Sequence, residues 1–262
     1  MTGMTVSGTN FGAAASDYGK FRAGFPDSVF DRLAAFGIGV EPQTIVDLGT
    51  GTGTLARGFA LRGCHVIGVD PDERMLSQAK ELDLQRGTSV KYVNAKAEST
   101  SLEDETADVV VAGQCWHWFD RTRAIAEVLR IAKPGCKLVI AHFDWLPIPQ
   151  GVVEATERLI QQYNPRWHLG GGIGMHPQWL PDLSAAGMRN LETFSYDVDV
   201  PYTPEAWRGR IRASAGVAGL QSDEILRFDE DLRALLAKRF PADVLSAPHR
   251  VFAIVADARG GR

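Results

Sequence analysis

Cysteine is scarce in this chain of 262 residues: Cys64, Cys115 and Cys136 are the three, and none stands in a Cys-x-x-Cys pair. Such spacing excludes a thiolate-ligated metal site and a disulfide framework, and an odd count in a large chain reads as reduced thiols in a cytoplasmic protein. A basic block is also lacking. The 28 Lys and Arg are interspersed with 32 Asp and Glu, for a formal net charge of -4, so nucleic acid and anionic membrane are not expected as partners. No stretch approaches the roughly 18 apolar residues that a membrane helix needs. The opening MTGMTVSGTNFGAAAS has neither the basic start nor the apolar centre of a signal peptide. No Gly-Lys-Ser/Thr follows a glycine run, which removes a P-loop from consideration. What remains is ordinary globular material, 45% hydrophobic and 23% charged, enough for a sizeable core.

That material is ordered along the chain. Short β-branched runs at 44–48, 65–70, 89–93, 107–112 and 137–143 alternate with amphipathic helical patterns. Alternation of this kind predicts parallel strands joined by crossover helices, and the nearly continuous apolar runs predict strands covered on both faces. PDERMLSQAKEL is read as a helix capped by Asp70 with Pro71 in its first turn, its inward stripe formed by Met75, Leu76, Ala79 and Leu82. RTRAIAEVLRIAKPG is read as a helix that stops at Pro134-Gly135. Upstream, PDSVFDRLAAFGI reads as one helix. Downstream come a helix near 152–163, a glycine-rich loop, a short helix, a strand in RNLETFSYDVDVPYT, two more helices, and a last strand in HRVFAIVADAR. The expectation is an α/β doubly wound sheet of about seven strands, with helical excursions after the fifth and sixth.

One stretch carries chemistry. In Val46-Asp47-Leu48-Gly49-Thr50-Gly51-Thr52-Gly53-Thr54, a strand runs into three alternating glycines and a helix follows. Side chains at those positions would block the turn or a closely approaching ligand, and the helix start behind it offers free N–H groups. Asp70 ends the next strand, where a carboxylate can accept both hydroxyl protons of a ribose. The dinucleotide fingerprint would require glycine at position 54, which is Thr54. Asp47 is read as the organiser of the loop backbone.

These residues resemble the first two motifs of the class I S-adenosylmethionine-dependent methyltransferases, in VDLGTGTG and VIGVDPDERML. NAKAEST is similar to the third motif, although Asn94-Ala95 stand where many members carry Gly-Asp or Gly-Ser. ADVVVAGQCWHWFD and VLRIAKPGCKLVI follow in the family's order. SDYGKFRAGFP is similar to the lead-in of the small-molecule branch that includes trans-aconitate methyltransferases. The resemblance spans residues 14–143 and is only architectural beyond 144. It implies a Rossmann-like sheet, mostly parallel with an antiparallel last strand, plus a helical cap. The corresponding division is an N-terminal helical segment (1–40), a cofactor-binding core (41–143), and cap insertions with the last two strands (144–262).

For the site, the resemblance implies S-adenosyl-L-methionine held by Asp47, Gly49, Thr50, Gly51, Gly53 and the ribose ligand Asp70. Pro71 and Met75 would follow along the adenine, with Ala97 and Glu98 at its edge, and Tyr18 and Arg22 would close over the methionine end. Gln114 and Trp116 lie in the loop after the fourth strand, where an aromatic face of Trp116 or Trp118 would stabilise the sulfonium. His117 is the candidate general base, since an imidazole titrates near neutrality. Tyr163, Trp167 and Trp179 are read either as substrate-pocket lining or as core. His168 and His176 flank Leu-Gly-Gly-Gly-Ile-Gly-Met without a third ligand in sequence range, so no metal is expected. The function expected is methyl transfer to a small-molecule acceptor by a monomer or homodimer. The alternatives are a non-catalytic S-adenosylmethionine-binding module and an NAD-dependent oxidoreductase.

Overall fold

The computed structural model describes residues 24–259, so Tyr18 and Arg22 lie outside the described residues. The chain proceeds through α1 (Asp27–Ala34), β1 (Thr44–Leu48), α2 (Thr54–Ala60), β2 (His65–Asp70), α3 (Glu73–Arg86), β3 (Lys91–Asn94), β4 (Ala107–Gly113), α4 (Arg121–Ile131) and β5 (Ala132–Trp145). It continues through α5 (Val152–Tyr163), α6 (Leu180–Ala185), β6 (Arg189–Tyr202), α7 (Pro204–Arg212), α8 (Ser222–Arg239) and β7 (Leu245–Asp257). Single 3-10 turns occur at Trp116–Trp118 and Pro177–Trp179.

The seven strands form one sheet in the order β3-β2-β1-β4-β5-β7-β6. β1 pairs in parallel with both β2 and β4, β2 with β3, and β4 with β5, while the last strands are antiparallel. Sequence order therefore reverses between β1 and β4, and in such sheets the ligand crevice lies beyond the strand ends at that reversal. Val109 to Ala112 of β4 are at most 1% exposed, as befits a central strand covered on both faces.

The chain divides into two compact units. Among the described residues, one comprises Gly24–Phe143, Gly174–Tyr196 and 250–259; the other comprises Asp144–Ile173 and Asp197–His249. In the first, Val46, Leu48, Val110, Ala112, Leu138 and Ile140 share a core with Phe252 and Ile254 of the last strand. In the second, Val152 and Ile160 of α5 pack with Trp207 of α7 and with Phe228, Leu232 and Leu236 of α8. Trp207 is fully buried and its indole N–H donates to Thr156 Oγ1 at 3.0 Å, so its polar atom is satisfied. α7 begins where its sequence signals it: the Thr203 hydroxyl accepts from Ala206 N and Pro204 occupies the first turn.

Three local readings of the sequence need correction. Asp72, not Asp70, caps α3, accepting from Arg74 N at 2.9 Å; Pro71 precedes the helix and Asp70 is left for other work. α4 ends at Ile131, three residues short of Pro134. β5 starts at Ala132, before Lys137. Between its two pairings with β4, at Ala107↔Ala132 and Val109↔Lys137, β5 advances five residues for two on its neighbour. Lys133 to Cys136 are thus looped out as a bulge, which is how a strand tolerates a proline that cannot donate to its ladder.

Candidate active site

The glycine loop is tied down by two carboxylates. Asp47, on the central strand, is 2% exposed; it accepts from the Thr50 hydroxyl at 2.7 Å and from Ala56 N at 3.2 Å. Burial pushes its carboxyl up to about 7, with the neighbouring Asp70 charge adding to the rise and the two hydrogen bonds opposing it. The buried Thr50 side chain is thus directed at Asp47. Asp70 stands at the end of β2. Its Oδ2 accepts from Gly51 N and its Oδ1 from Asp72 N, each at 2.9 Å. Burial raises its pKa and those two N–H groups lower it. An ionised carboxylate has about four acceptor positions, and these two bonds leave room for two hydroxyls.

The three glycines are not equivalent. A Cβ on Gly53 would stand 2.5 Å from Tyr92 Oη, and one on Gly49 would stand 2.8 Å from Cys115 Sγ. A Cβ on Gly51, at φ +55°, would meet nothing within 4 Å. Gly49 and Gly53 are therefore required by the protein's own packing, whereas Gly51 faces open space beside the Asp70 carboxylate. Behind the loop, Arg57 donates from Nε to Asp83 at 2.8 Å and from Nη2 to the Thr52 and Ala79 carbonyls, while Tyr92 Oη donates to Asp83 at 2.9 Å. Sequence reasoning missed this network. Its signal was a carboxylate, Asp83, at an inward position of α3 four residues beyond Ala79, where an apolar side chain would be the default.

Next to Gly49 lies a cavity of about 460 Å³ whose lining includes Pro71, Ala97, Glu98, Trp118 and Phe119 together with Lys96 and Arg123. Its size suits a small-molecule site. Glu98 accepts from Asp120 N at 2.9 Å, which ties the segment after β3 to the loop after β4. Asp47, Gly49, Thr50, Gly51, Gly53, Asp70, Pro71, Ala97 and Glu98 are thus brought together at the carboxyl ends of β1 and β2.

Other residues singled out in the sequence are placed differently. Trp116 is 0% exposed and belongs to the core, edge-on to Phe119 at 5.7 Å. Trp118 is 45% exposed and lines the cavity, so the outward aromatic face of this loop is Trp118. Met75 is buried in the inward stripe of α3. Gln114, at φ +63°, donates its backbone N–H to Ala141 and its side-chain amide to the Phe143 carbonyl, which pins the loop to β5. His117 is exposed, its ring 4.5 Å from that of Trp118. Trp179 belongs to the core of the first unit and Trp167 to that of the second, where Tyr163 stands edge-on to Phe228. All three cysteines are buried thiols.

Comparison with known proteins agrees with this geometry. Residues 46–140 match the methyltransferase domain family. An uncharacterised methyltransferase of Mycobacterium tuberculosis is 35% identical over 131 residues, which cover 49% of this chain and 50% of that protein. The chain spans about half the length of the curated relatives it matches. Among solved structures, a candidate type II methyltransferase from Anaeromyxobacter dehalogenans superposes with a TM-score of 0.64 at 22% identity, covering 92% of this chain and 99% of that one. Phosphoethanolamine N-methyltransferase 2 of Haemonchus contortus, solved with S-adenosylhomocysteine and phosphomonomethylethanolamine, gives 0.58 at 20% identity, over 100% of this chain and 62% of that one. These two likenesses show a shared fold. The matched segment, residues 46–140, is similar to the methyltransferase domain, a family that uses S-adenosylmethionine. Among the described residues, no helix is long and apolar enough to cross a membrane.

Proposed function

We propose that this chain transfers a methyl group from S-adenosylmethionine to a small-molecule acceptor. The observation that carries the reading is the open face of Gly51 beside the Asp70 carboxylate. On this reading Asp70 accepts the two ribose hydroxyl protons, and the backbone of 49–53 lies along the nucleoside. The cavity lined by Pro71, Ala97 and Glu98 takes the adenine. The family resemblance adds Tyr18 and Arg22 over the methionine end. Trp118, the exposed ring of the loop after β4, faces the sulfonium, a contact worth up to about 2 kcal/mol when water is excluded. Interspersed charge speaks for a small-molecule acceptor over a nucleic acid, and three buried thiols fit a reducing compartment.

Transfer is an in-line displacement. The acceptor atom forms a bond to the methyl carbon as the carbon–sulfur bond breaks, its electron pair staying on sulfur. Most of the protein's contribution is positioning and exclusion of water. An acceptor that carries a proton needs a base, and His117 takes that role. Titration with S-adenosylhomocysteine and with NADH tests the reading: the first should bind and the second should not, and the reverse result overturns it. His117→Ala should slow turnover at least roughly tenfold with little change in S-adenosylhomocysteine affinity; an unchanged rate removes the base.

A further inference from the structure

α7 places a cation on the side that it buries. Trp207 and Arg210 stand three residues apart and so share one side of the helix. Trp207 is fully buried in the core of the second unit. Arg210 keeps some access to solvent as a residue, but its Nε is buried and has no hydrogen-bond partner. A guanidinium in such a place is ordinarily matched by a carboxylate in direct contact. Asp144 and Tyr202 both act to hold the charge of Arg210, yet burial outweighs them and its pKa is lowered.

Aromatic rings set the bearing of this cation. The guanidinium carbon of Arg210 lies over the Trp145 ring, 4.8 Å from its centroid. Trp145 ends β5, and its indole N–H donates to Glu157 Oε1 at 2.8 Å. Glu157 is buried and accepts Gly171 N on its other oxygen, also at 2.8 Å. Tyr202, at the end of β6, stands edge-on to Trp207 at 5.2 Å, and the Trp145 ring meets the same indole at 5.8 Å. The Trp145 ring is thus held by a carboxylate and by a second indole. A guanidinium stacked on a fixed ring keeps its donors in one plane, the arrangement that meets two oxygens of a carboxylate or phosphate in parallel.

We propose that Arg210 anchors a binding site for a small oxyanion in the second unit, with Trp145 as the platform of its guanidinium and Glu157 as the residue that positions the platform. The ligand class is a small molecule carrying a carboxylate or a phosphate group, since both offer paired oxygens and the missing negative charge. A neutral or cationic ligand would leave the buried charge unanswered. The site also gives the second glycine run a part, because Gly171 and Trp145 share the Glu157 carboxylate. Nothing in it depends on the methyl-transfer reading, and no step of that transfer passes through it.

The test is a titration of the full chain with sodium phosphate and with sodium succinate, read at the arginine Nε–H signals of nitrogen-15-labelled protein and by calorimetry. The signal that Arg210→Gln removes should shift to saturation in the wild type. Saturation by phosphate alone assigns a phosphate ligand, by succinate alone a carboxylate, and by both a site that reads only the paired oxygens. Affinity should fall at least roughly tenfold in Arg210→Gln, the loss expected when a hydrogen bond to a charged group is removed. Arg210→Lys keeps the charge but not the fork and should lose affinity too; it covers the case in which Arg210→Gln fails to fold, as judged by its melting curve. Arg227→Gln, at a side chain 65% exposed on α8, should stay within about threefold of the wild type. A wild-type Arg210 signal that neither anion saturates, wild-type affinity in a folded Arg210 variant, or an equal loss in Arg227→Gln would each overturn the site.

Discussion

Two glycine runs of equal length, Gly49-Thr50-Gly51-Thr52-Gly53 and Gly170-Gly171-Gly172-Ile173-Gly174, do different things with the same residue. The first has fewer glycines and more structure. It leaves the central strand β1, enters α2 without a break, and is held by Asp47 from beneath and by Asp70 and Arg57 from the sides. The second joins no strand to a helix. Its hydrogen bond from Gly171 N to Glu157 is the tie that α5 provides, and Leu169, Ile173 and Met175 around it are 40% or more exposed. Glycine density alone therefore does not identify a ligand loop. Strand before, helix after and carboxylates at fixed offsets do, because they fix which N–H groups and which bare Cα face the ligand.

The sharpest way to test that difference is Gly51→Val. Nothing within 4 Å opposes the new side chain in the protein itself, so the fold should persist with strain only from φ +55°. The ligand, however, would lose its close approach to the backbone. Affinity for S-adenosylhomocysteine is expected to fall at least roughly a hundredfold, or about 3 kcal/mol, by calorimetry. Retained affinity would mean that the ligand does not lie along this loop. Gly53→Ala serves as the contrast: it collides with Tyr92 and should lower the melting temperature before it affects anything else.

Second in expected size is Asp70→Ala. Hydrogen bonds to a charged group contribute about 1.5–3 kcal/mol, and removal of this carboxylate also releases Gly51 N. A ten- to hundredfold loss of adenosyl-ligand affinity is expected, roughly 1.4–2.8 kcal/mol. Asp70→Asn should fall between, since an amide oxygen can still accept one bond. If both variants bind as tightly as the wild type, the ribose assignment fails.

The same comparison shows how far the sequence could be read. The first run and its neighbours were legible because the requirement is local: β1 and β2 begin and end at the residues their apolar runs mark, and Asp70 falls where the second strand stops. What failed locally was the choice between Asp70 and Asp72 as cap, since both precede α3 and only the backbone shows that the strand runs through Asp70 and the helix starts at Glu73. The ring assignments in the loop after β4 were not legible. Trp116 and Trp118 are two residues apart in a 3-10 turn, and which one is buried depends on a core assembled from Val128, Leu138 and other distant residues. The meeting of the His117, His142 and His176 rings was hidden for the same reason: spacing rules read one local segment, whereas these residues come from three separate places in the chain.

Asp47 gives a third, pH-dependent way to probe the held loop. Its folded pKa is raised from 3.8 to about 7 by burial, so the folded state holds a proton that the unfolded state releases. Its favourable contribution is full below 3.8 and is lost as pH rises toward about 7. Within that window the slope from this one group is at most about 1.4 kcal/mol per pH unit. Denaturant unfolding of the wild type and of Asp47→Asn at about pH 5 and pH 6 isolates it. The wild type should lose stability relative to the variant as pH rises, and parallel curves would show that Asp47 stays ionised in the fold.

The smallest effect is expected in the second run. Gly171 has φ +73° and nothing within 4 Å of an added Cβ, the same local description as Gly51. Gly171→Ala should therefore lower stability by about 1 kcal/mol, the cost of a left-handed conformation in a non-glycine residue, and leave S-adenosylhomocysteine affinity unchanged. Two positions with the same backbone and the same empty surroundings would then differ only in ligand response. That is the expected outcome if Asp70, rather than glycine itself, makes the first loop a binding site. Equal losses of affinity at Gly51 and Gly171 would instead make the second run part of the cofactor site and remove the contrast between them.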